Sequence, residues 1–399
     1  MKGRGVAAIL AIALASVMLI VSGGAGAQPG DENQCVGGMT TGSTDDLQMC
    51  TITASPGKCI QKSSSPVIVQ KCIVDQSEPT NEVYVEQVNS SDLQGSEQDA
   101  TQTATINQGG TDNQATVKQD IRQTTHETAG GMQTQDGHQT TTICQGGTAD
   151  PCAATNTGAN TANVDQGRWA DAHASGGAST QSQDTVAGTD CSPETPPAEP
   201  NLCALLTQNS TVRNDADLQQ QDHLLAEASG TGTIEQEQGS FNAGIDGHVI
   251  QQTVAGMPEN TENAHQHLTY DLSAPDGAFQ SQDPRIGGGS PGGKLNLHQV
   301  GILRASADDA SQHLGIDGAC VATESCLILE HGKVNGANLT TRCRENGPCA
   351  RFIECTSSGE GAQCDGGPPI TIDLASAGFD RLDFQNAINF TFPVRLPGL

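Results

Sequence analysis

Residues 105–119 read TINQGGTDNQATVKQ, two segments of alternating side chains around a glycine-rich turn. In a β-strand, alternate side chains point to the same face of the sheet. This pattern puts small, β-branched and amide side chains on one face, and threonine, lysine and the remaining glutamine on the other. Gly109 and Gly110 suit a sharp reversal of the chain because glycine tolerates positive φ angles. Residues 105–119 therefore predict a strand–arc–strand unit with a thin interior.

The same pattern returns later in the chain. Residues 142–148 read TICQGGT and residues 160–166 read NTANVDQ, so both halves of the first unit recur with a longer arc between them. A looser third copy begins at residues 233–236 and ends at residues 247–251. The interior positions predicted from the three copies are Ile106, Gln108, Gly110, Asn113, Ala115, Val117, Gln119, Ile143, Gln145, Gly147, Asn160, Ala162, Val164, Gln166, Ile234, Gln236, Val249 and Gln251.

A unit of this kind cannot bury its interior face alone, so it has to stack on neighbouring units. Stacking aligns glutamine with glutamine and asparagine with asparagine, and aligned amides form hydrogen-bonded ladders. An aliphatic residue followed two positions later by glutamine recurs from Ile68 to Gln299. We therefore predict an all-β fold: an irregular β-solenoid of stacked strand–arc–strand rungs with Gln and Asn ladders, stapled by disulfides and carrying disordered loops. Composition alone would also allow a largely disordered chain.

Residues 108–119 match the core of the curlin repeat, Q-x-G-x-x-N-x-A-x-x-x-Q, which occurs in bacterial extracellular amyloid fibre subunits. The second copy keeps the same residue types at Gln145, Gly147, Asn160, Ala162 and Gln166. The chain thus resembles the curlin family over one strict and one split repeat. The resemblance implies β-solenoid rungs that self-assemble into fibres for adhesion and biofilm. The chain departs from the family in its length, in its many cysteines and in Gln102, which stands where the family's repeat opens with serine.

The first 27 residues predict export. Lys2 and Arg4 precede an apolar run, and residues 25–27 (AGA) follow as a small-residue cleavage site, which is the order of a cleavable signal peptide. The apolar run is shorter than the roughly 20 residues of a spanning helix, and a retained anchor is the alternative. Beyond the leader, 16 basic residues stand against 46 acidic ones, a net charge of −30. Such a chain repels nucleic acid and anionic membranes, and we expect no membrane span after cleavage.

All 14 cysteines lie beyond the leader in even groups, which in an exported chain predicts disulfides. Cys144 with Cys152 and Cys191 with Cys203 are the two close pairs, and a bridge in each would pin a loop. The pairings within the first four cysteines and within the last six stay open. A metal site is the alternative, but no C-x-x-C occurs and the spacings differ from those of zinc ligands.

Composition divides the chain into a signal peptide at 1–27, a Cys-stapled segment at 28–80, a Gln/Asn/Thr/Gly-rich repeat region at 81–300, a six-cysteine module at 301–366 and a strand-like segment at 367–399. Helical periodicity is weak, and the best helix candidate is residues 215–228. His265 and His267 are the only close histidine pair. In a strand both would face one side and could bind a metal, but without a third ligand at a recognisable spacing we favour a solvated pair.

The sequence contains no familiar nucleophile, base or metal constellation, so we expect neither an enzyme nor a cofactor. We expect a secreted structural protein of the cell surface or extracellular matrix that assembles with copies of itself or with related fibre subunits. One alternative is a monomeric secreted β-solenoid that binds a polysaccharide, a surface or ice. The other is a largely disordered acidic surface protein.

Overall fold

A computed structural model of the chain describes residues 32–366 apart from short gaps. The gaps are residues 45–46, 95, 128–131, 176–179, 183–201, 230–232, 238–244, 253–258, 274–277, 283–284, 291–292, 307–309 and 359–360. The predicted signal peptide at 1–27 and the C-terminal segment at 367–399 therefore lie outside the described residues, as does Cys191.

Every helix or strand element in the described residues is a β-strand, which confirms the all-β prediction. The 22 strands are β1 (Glu32–Val36), β2 (Gly38–Thr44), β3 (Leu47–Ile52), β4 (Gly57–Ser63), β5 (Val67–Gln76), β6 (Thr80–Gln94), β7 (Ser96–Gly109), β8 (Asp112–Glu127), β9 (Met132–Gly146), β10 (Ala159–Ser175), β11 (Thr180–Ser182), β12 (Leu202–Asn209), β13 (Arg213–Ser229), β14 (Thr233–Glu237), β15 (Ile245–Gln252), β16 (Glu259–Ser273), β17 (Ala278–Gln282), β18 (Arg285–Ser290), β19 (Gly293–Ser306), β20 (Ala310–Val334), β21 (Ala337–Ser358) and β22 (Gly361–Gly366). Burial alternates along them, as in β5, so each such strand has an interior face and a solvent face.

Most strands pair with the strand one rung away and not with their neighbour in sequence. One row runs through β3, β5, β7, β9, β12, β15, β18 and the first half of β20, always in parallel. The facing row runs through β4, β6, β8, β10, β13, β16, β19 and the second half of β20, also in parallel. A short third row contains β9, β11, β14, β17 and β20. The described chain is therefore a set of stacked parallel strands.

The two main rows enclose a thin interior of aliphatic columns. One column consists of Val85, Val117, Val164, Leu218, Ala264, Leu297 and Ile328, each in register with the next. That column lies in the facing row, and the column in the first row consists of Ile52, Val74, Ile106, Ile143 and Leu206. All of these side chains are buried, and each fully buried Val, Leu or Ile contributes roughly 1.5–3 kcal/mol relative to exposure. The interior therefore needs no large aromatic residues at this level.

The predicted helix at residues 215–228 is wrong. These residues lie in β13, which pairs in parallel with β10 on one side and with β16 on the other. Ala216, Leu218 and Leu224 are buried at even-numbered positions, which is the period of a strand. Pairing on both sides satisfies the backbone of this segment, so tertiary stacking outweighs local helix propensity.

The turn position of Gly110 suggested a positive φ angle. In the structure Gly110 instead allows neighbouring arcs to approach closely. It is absent from the positive-φ glycines of the described residues. A Cβ atom at Gly110 would overlap the carbonyl oxygen of Glu78 and the side chain of Asn81 in the previous rung. Arcs stacked this tightly leave room only for glycine.

Candidate functional site

A continuous column of glutamines runs along the interior of the stack. Its members are Gln61, Gln87, Gln119, Gln166, Gln220, Gln266 and Gln299, all of them buried. Each Nε2 after the first donates a hydrogen bond to the Oε1 of the previous glutamine over 2.8–3.0 Å. The column therefore connects every strand from β4 to β19 in its row without a break.

The same amides tie the two rows of strands together. Gln87 Nε2 also donates to the main-chain oxygen of Thr103 over 3.1 Å, and Gln119 Nε2 donates to that of Thr140 over 3.3 Å. Each of these amide groups thus uses one N–H along the stack and the other across it. Because a buried polar group costs free energy unless it is hydrogen-bonded, this double donation is what allows glutamine to fill the interior.

Three shorter ladders run beside the first. Two glutamine ladders consist of Gln48, Gln70, Gln102 and Gln139, and of Gln76, Gln108, Gln145 and Gln208, with Nε2–Oε1 distances of 2.8–3.0 Å. An asparagine ladder consists of Asn81, Asn113, Asn160, Asn214 and Asn260, with Nδ2–Oδ1 distances of 2.8–3.0 Å. The Gln and Asn ladders of the fold prediction are therefore present in the described residues.

The structure brings the strict copy and the split copy of the repeat into register. In β8 and β10 the aligned pairs are Asn113 with Asn160, Ala115 with Ala162, Val117 with Val164 and Gln119 with Gln166. In β7 and β9 the aligned pairs are Ile106 with Ile143 and Gln108 with Gln145. Gly110 follows β7 and Gly147 follows β9, so both lie in arcs.

The two halves of the looser third copy lie in other rows than the corresponding halves of the first two copies. Val249 and Gln251 belong to β15, which stacks on β12 in the first row and not in the facing row. Ile234 and Gln236 belong to β14 in the short third row. The strand that stacks next to β10 contains residues 214–220, which read NDADLQQ. Leu218 and Gln220 belong to the aliphatic–glutamine recurrence of the sequence, but leucine in place of valine hid the match to the second half of the repeat.

Disulfides staple the stack. Cys144 is bonded to Cys152 across the long arc of the second copy. Cys203 is also disulfide-bonded, while its predicted partner Cys191 lies outside the described residues. Among the groups whose pairing the sequence left open, the bridges are Cys35–Cys50, Cys320–Cys326, Cys343–Cys349 and Cys355–Cys364.

Antiparallel strands cover both ends of the parallel stack. At the N-terminal end, β1 pairs with β4 and β2 pairs with β3. At the C-terminal end, β21 pairs with nearly the whole of β20, and β22 pairs with the last part of β21. The Cys35–Cys50 bridge ties β1 to β3, and the Cys355–Cys364 bridge ties β21 to β22. The edges that a further parallel rung would need are therefore occupied.

Histidines gather on the outer face of the last parallel strands. His265 and His267 lie on β16 and His298 lies on β19, with the rings of His265 and His298 edge to face at 5.6 Å. Burial and the neighbouring histidines lower the pKa of His298, and burial and His223 lower the pKa of His267. The sequence pattern does not reveal His298, because the sequence separation between stacked residues on neighbouring strands varies along the chain. Within the described part of the chain, no histidine belongs to a group of three ligand atoms within 4.8 Å of one another.

A charged pair lies in the interior, where the sequence had suggested only apolar and amide groups. Arg168 and Asp222 are fully buried, with Nη1 3.9 Å from Oδ2. The Tyr270 hydroxyl donates to the same Oδ2 over 2.5 Å, and Arg168 Nη2 donates to the Gln135 main-chain oxygen over 3.0 Å. These contacts offset part of the cost of burying the two charges. Burial and the charge of Arg168 lower the pKa of His138 to about 4.

No protein-family model matches this chain, and no curated protein and no solved structure matches it. Over the described ranges, no helix is both long and apolar enough to cross a membrane. The curlin resemblance therefore stays a proposal that rests on residues 108–119 and on the ladders those residues enter.

Replacing Gln119 by alanine tests the ladder, because it removes hydrogen bonds with Gln87, Gln166 and the Thr140 main chain. The partners stay buried and lose these bonds, so we expect the free energy of unfolding to fall by about 2–4 kcal/mol. Gln114→Ala is the matched control, since Gln114 is exposed on the same strand, and we expect a change within about 0.5 kcal/mol. Urea unfolding followed by circular dichroism measures both variants, and equal losses would contradict a special role for the ladder.

His138 makes the fold acid-sensitive. Its pKa of about 4 in the folded chain lies below the 6.5 of an ordinary histidine, so below pH 6.5 the unfolded chain takes up the proton first. The free energy of unfolding is therefore unaffected by protonation of His138 above pH 6.5, and it falls as the pH drops from 6.5 toward 4. Between pH 7 and pH 5, we expect the His138→Asn variant to lose about 2 kcal/mol less stability than the wild type. Urea unfolding at both pH values measures the difference, and identical pH dependence would refute it.

Proposed function

We propose that this chain is a secreted, non-enzymatic structural protein of the cell surface or extracellular matrix, built as an irregular β-solenoid. The seven-glutamine ladder supports this most directly, because it runs through successive strands of one row and binds each rung to the next. A stack in which each rung contacts only its neighbours gives an extended surface of regular strands. The described residues are ordered into such strands, which does not fit a largely disordered acidic surface protein.

Two features support a location outside the cytoplasm. Disulfides persist in oxidising compartments, and the described residues contain five complete bridges. Residues 1–27 have the order of a cleavable export signal. We infer that the folded stack works at the cell surface or beyond it.

The curlin resemblance suggests growth by the addition of rungs, with copies of this chain or related fibre subunits as partners. In this chain antiparallel strands cover both ends of the stack. We call β1 and β2 the N-terminal cap, and β21 and β22 the C-terminal cap. The net charge of −30 beyond the leader, 16 basic against 46 acidic residues, also makes close packing of copies costly until protons or salt screen it. Self-association is therefore slow and pH-dependent in this proposal.

The outer edge of β21 is the place where association would begin. Within the described ranges, no strand pairs with that edge over residues 337–351. The segment carries Arg342, Arg344 and Arg351 in a chain that is otherwise acidic. A basic edge repels its own copies but attracts the acidic body of another molecule, which favours lateral contact over rung-by-rung growth.

The caps also favour the second function, a monomeric scaffold that binds a polysaccharide. Thr103 and Thr105 on β7 stack in register on Thr140 and Thr142 on β9, which makes a small threonine patch on the outer face. The patch ends after two strands, because the strands on either side place other residue types in these rows. A patch of this size suits the hydroxyl groups of a sugar better than an extended surface or ice.

Opening the N-terminal cap should release self-association. In the Cys35→Ser/Cys50→Ser variant, β1 is no longer tied to β3, so the parallel edges of β3 and β4 become accessible. We expect this variant to form thioflavin-positive fibres several-fold faster than the wild type, and both proteins to do so faster at pH 4 than at pH 8 in low salt. Cys144→Ser/Cys152→Ser is the matched control, since it removes a bridge from an arc and leaves both caps tied.

Thioflavin fluorescence and electron microscopy measure these rates on the oxidised protein. Fibres that form as readily at pH 8 in low salt as at pH 4 would refute the electrostatic part of the proposal. Equal rates in the cap variant and the control would refute the part played by the cap. A protein that stays monomeric in every variant and binds in a glycan array would support the scaffold function instead.

A further inference from the structure

Four cysteines meet at the N-terminal cap in two stacked pairs. Cys35 on β1 is the register partner of Cys59 on β4, and Cys50 on β3 is the register partner of Cys72 on β5. Cys35 and Cys50 are bonded to each other. Cys59 and Cys72 therefore occupy the neighbouring positions one rung further into the stack, and both are free thiols.

This second pair is close and dry. Both side chains are completely buried among the aliphatic residues of the main core. The sulfur atoms of Cys50, Cys59 and Cys72 all lie within 4.8 Å of one another. The two sulfur atoms thus lie close together beside the Cys35–Cys50 bridge, with no bond between them.

We propose that Cys59 and Cys72 are oxidised to a second disulfide that completes the covalent closure of the N-terminal cap. This inference rests on the proposed extracellular function, because the cytoplasm keeps thiols reduced. The reaction is thiol–disulfide exchange with a disulfide-bearing oxidant, either an oxidoreductase or a small-molecule disulfide. The two thiols lose two protons and two electrons and form one S–S bond, while the S–S bond of the oxidant is reduced to two thiols.

A metal centre fits these residues less well. Cys50, the third sulfur of the cluster, is already bonded to Cys35, which leaves two thiols as ligands. Structural zinc takes four ligands, commonly Cys or His. Within the described residues the cluster holds no histidine and no carboxylate, and its surroundings are aliphatic.

Burial decides when the bridge can form. Burial and the adjacent Cys59 raise the pKa of the Cys72 thiol well above its usual value, so little attacking thiolate exists once the core is closed. The folded cap also keeps an oxidant away, because both side chains have no exposed surface. The bridge therefore closes before β1 and β2 cover β3 and β4, and a chain that folds in reductant keeps two unreactive thiols.

The second bridge would join the two rows of strands directly behind the cap. Cys59 belongs to β4 in one row, and Cys72 belongs to β5 in the other. Together with the bridge from β1 to β3, it would make the cap and the first rungs one covalent unit. A chain that folds without the two bridges would have a looser cap and looser strands beneath it, so the redox conditions during folding set how well the N-terminal end blocks self-association.

Peptide mapping tests the pairing. The purified protein is denatured, reduced and refolded in a mixture of reduced and oxidised glutathione, then treated with N-ethylmaleimide in denaturant and digested with trypsin. Trypsin cuts on both sides of residues 59–62 (CIQK), so Cys59 is released on this short peptide. It also cuts just before Cys72, which is released on the peptide of residues 72–118. We expect these two peptides to be linked by a disulfide in nearly all molecules, with no maleimide on either cysteine.

Each other pattern of peptides would overturn the proposal. Cys35 and Cys50 share a tryptic peptide that ends at Lys58. Bridges between register partners, Cys35–Cys59 and Cys50–Cys72, would therefore link three peptides instead of two. Maleimide on Cys59 and Cys72 would show that the pair stays reduced, and one zinc ion per chain by elemental analysis would show a metal centre. The Cys144–Cys152 bridge in the same digest is the internal control for complete oxidation.

The order of addition tests the timing. Oxidised glutathione added after folding in reductant should close the Cys59–Cys72 bridge at least about tenfold more slowly than the same oxidant added in urea. Equal rates would contradict the closed cap. These measurements use refolded protein and do not depend on where the protein works, so they succeed or fail separately from the fibre and glycan assays.

Discussion

Buried glutamine amides such as Gln87 and Gln119 donate one hydrogen bond along the main ladder and one across it, and the stack depends on both kinds. From Gln119 one bond reaches Gln87 in the previous rung, and the other reaches the main chain of the facing row. An amide in a dry interior costs free energy unless its polar atoms are paired, and a glutamine in register with another glutamine supplies that pairing at every level. Aromatic residues make up only 3% of the chain, so the ladders, with thin aliphatic columns beside them, hold the two rows together.

The three glutamine ladders donate toward the earlier rung and the asparagine ladder donates toward the later one, so the two ends of the stack differ. Each Nε2 of the main ladder points to the earlier rung, so an open end would offer unpaired amide and backbone groups to a second molecule. Antiparallel strands cover the edges of the parallel stack at both ends, and the Cys35–Cys50 and Cys355–Cys364 bridges hold those strands in place. A fibre subunit and a capped monomer can share the same rung, and the proposed function follows from how the ends are closed.

Sequence predicted the structure best where one rung copies another. Residues 108–119 identify their own interior positions, because each has an equivalent one rung further on. Prediction failed where the information lies between strands. Residues 215–228 look helical until their neighbours on both sides are known, and Arg168 meets Asp222 only because β10 and β13 are in register. Arcs of unequal length likewise hid the true place of Val249.

The distance between spin labels at Glu82 and Lys294 tests the central claim, one continuous in-register stack. Both residues are exposed, and the pairings of β6, β8, β10, β13, β16 and β19 place them in one row, five strand spacings apart. Labels on non-natural amino acids leave the cysteines paired, and double electron–electron resonance should give a narrow distribution near roughly 24 Å. A broad distribution centred well beyond that distance would contradict the stack.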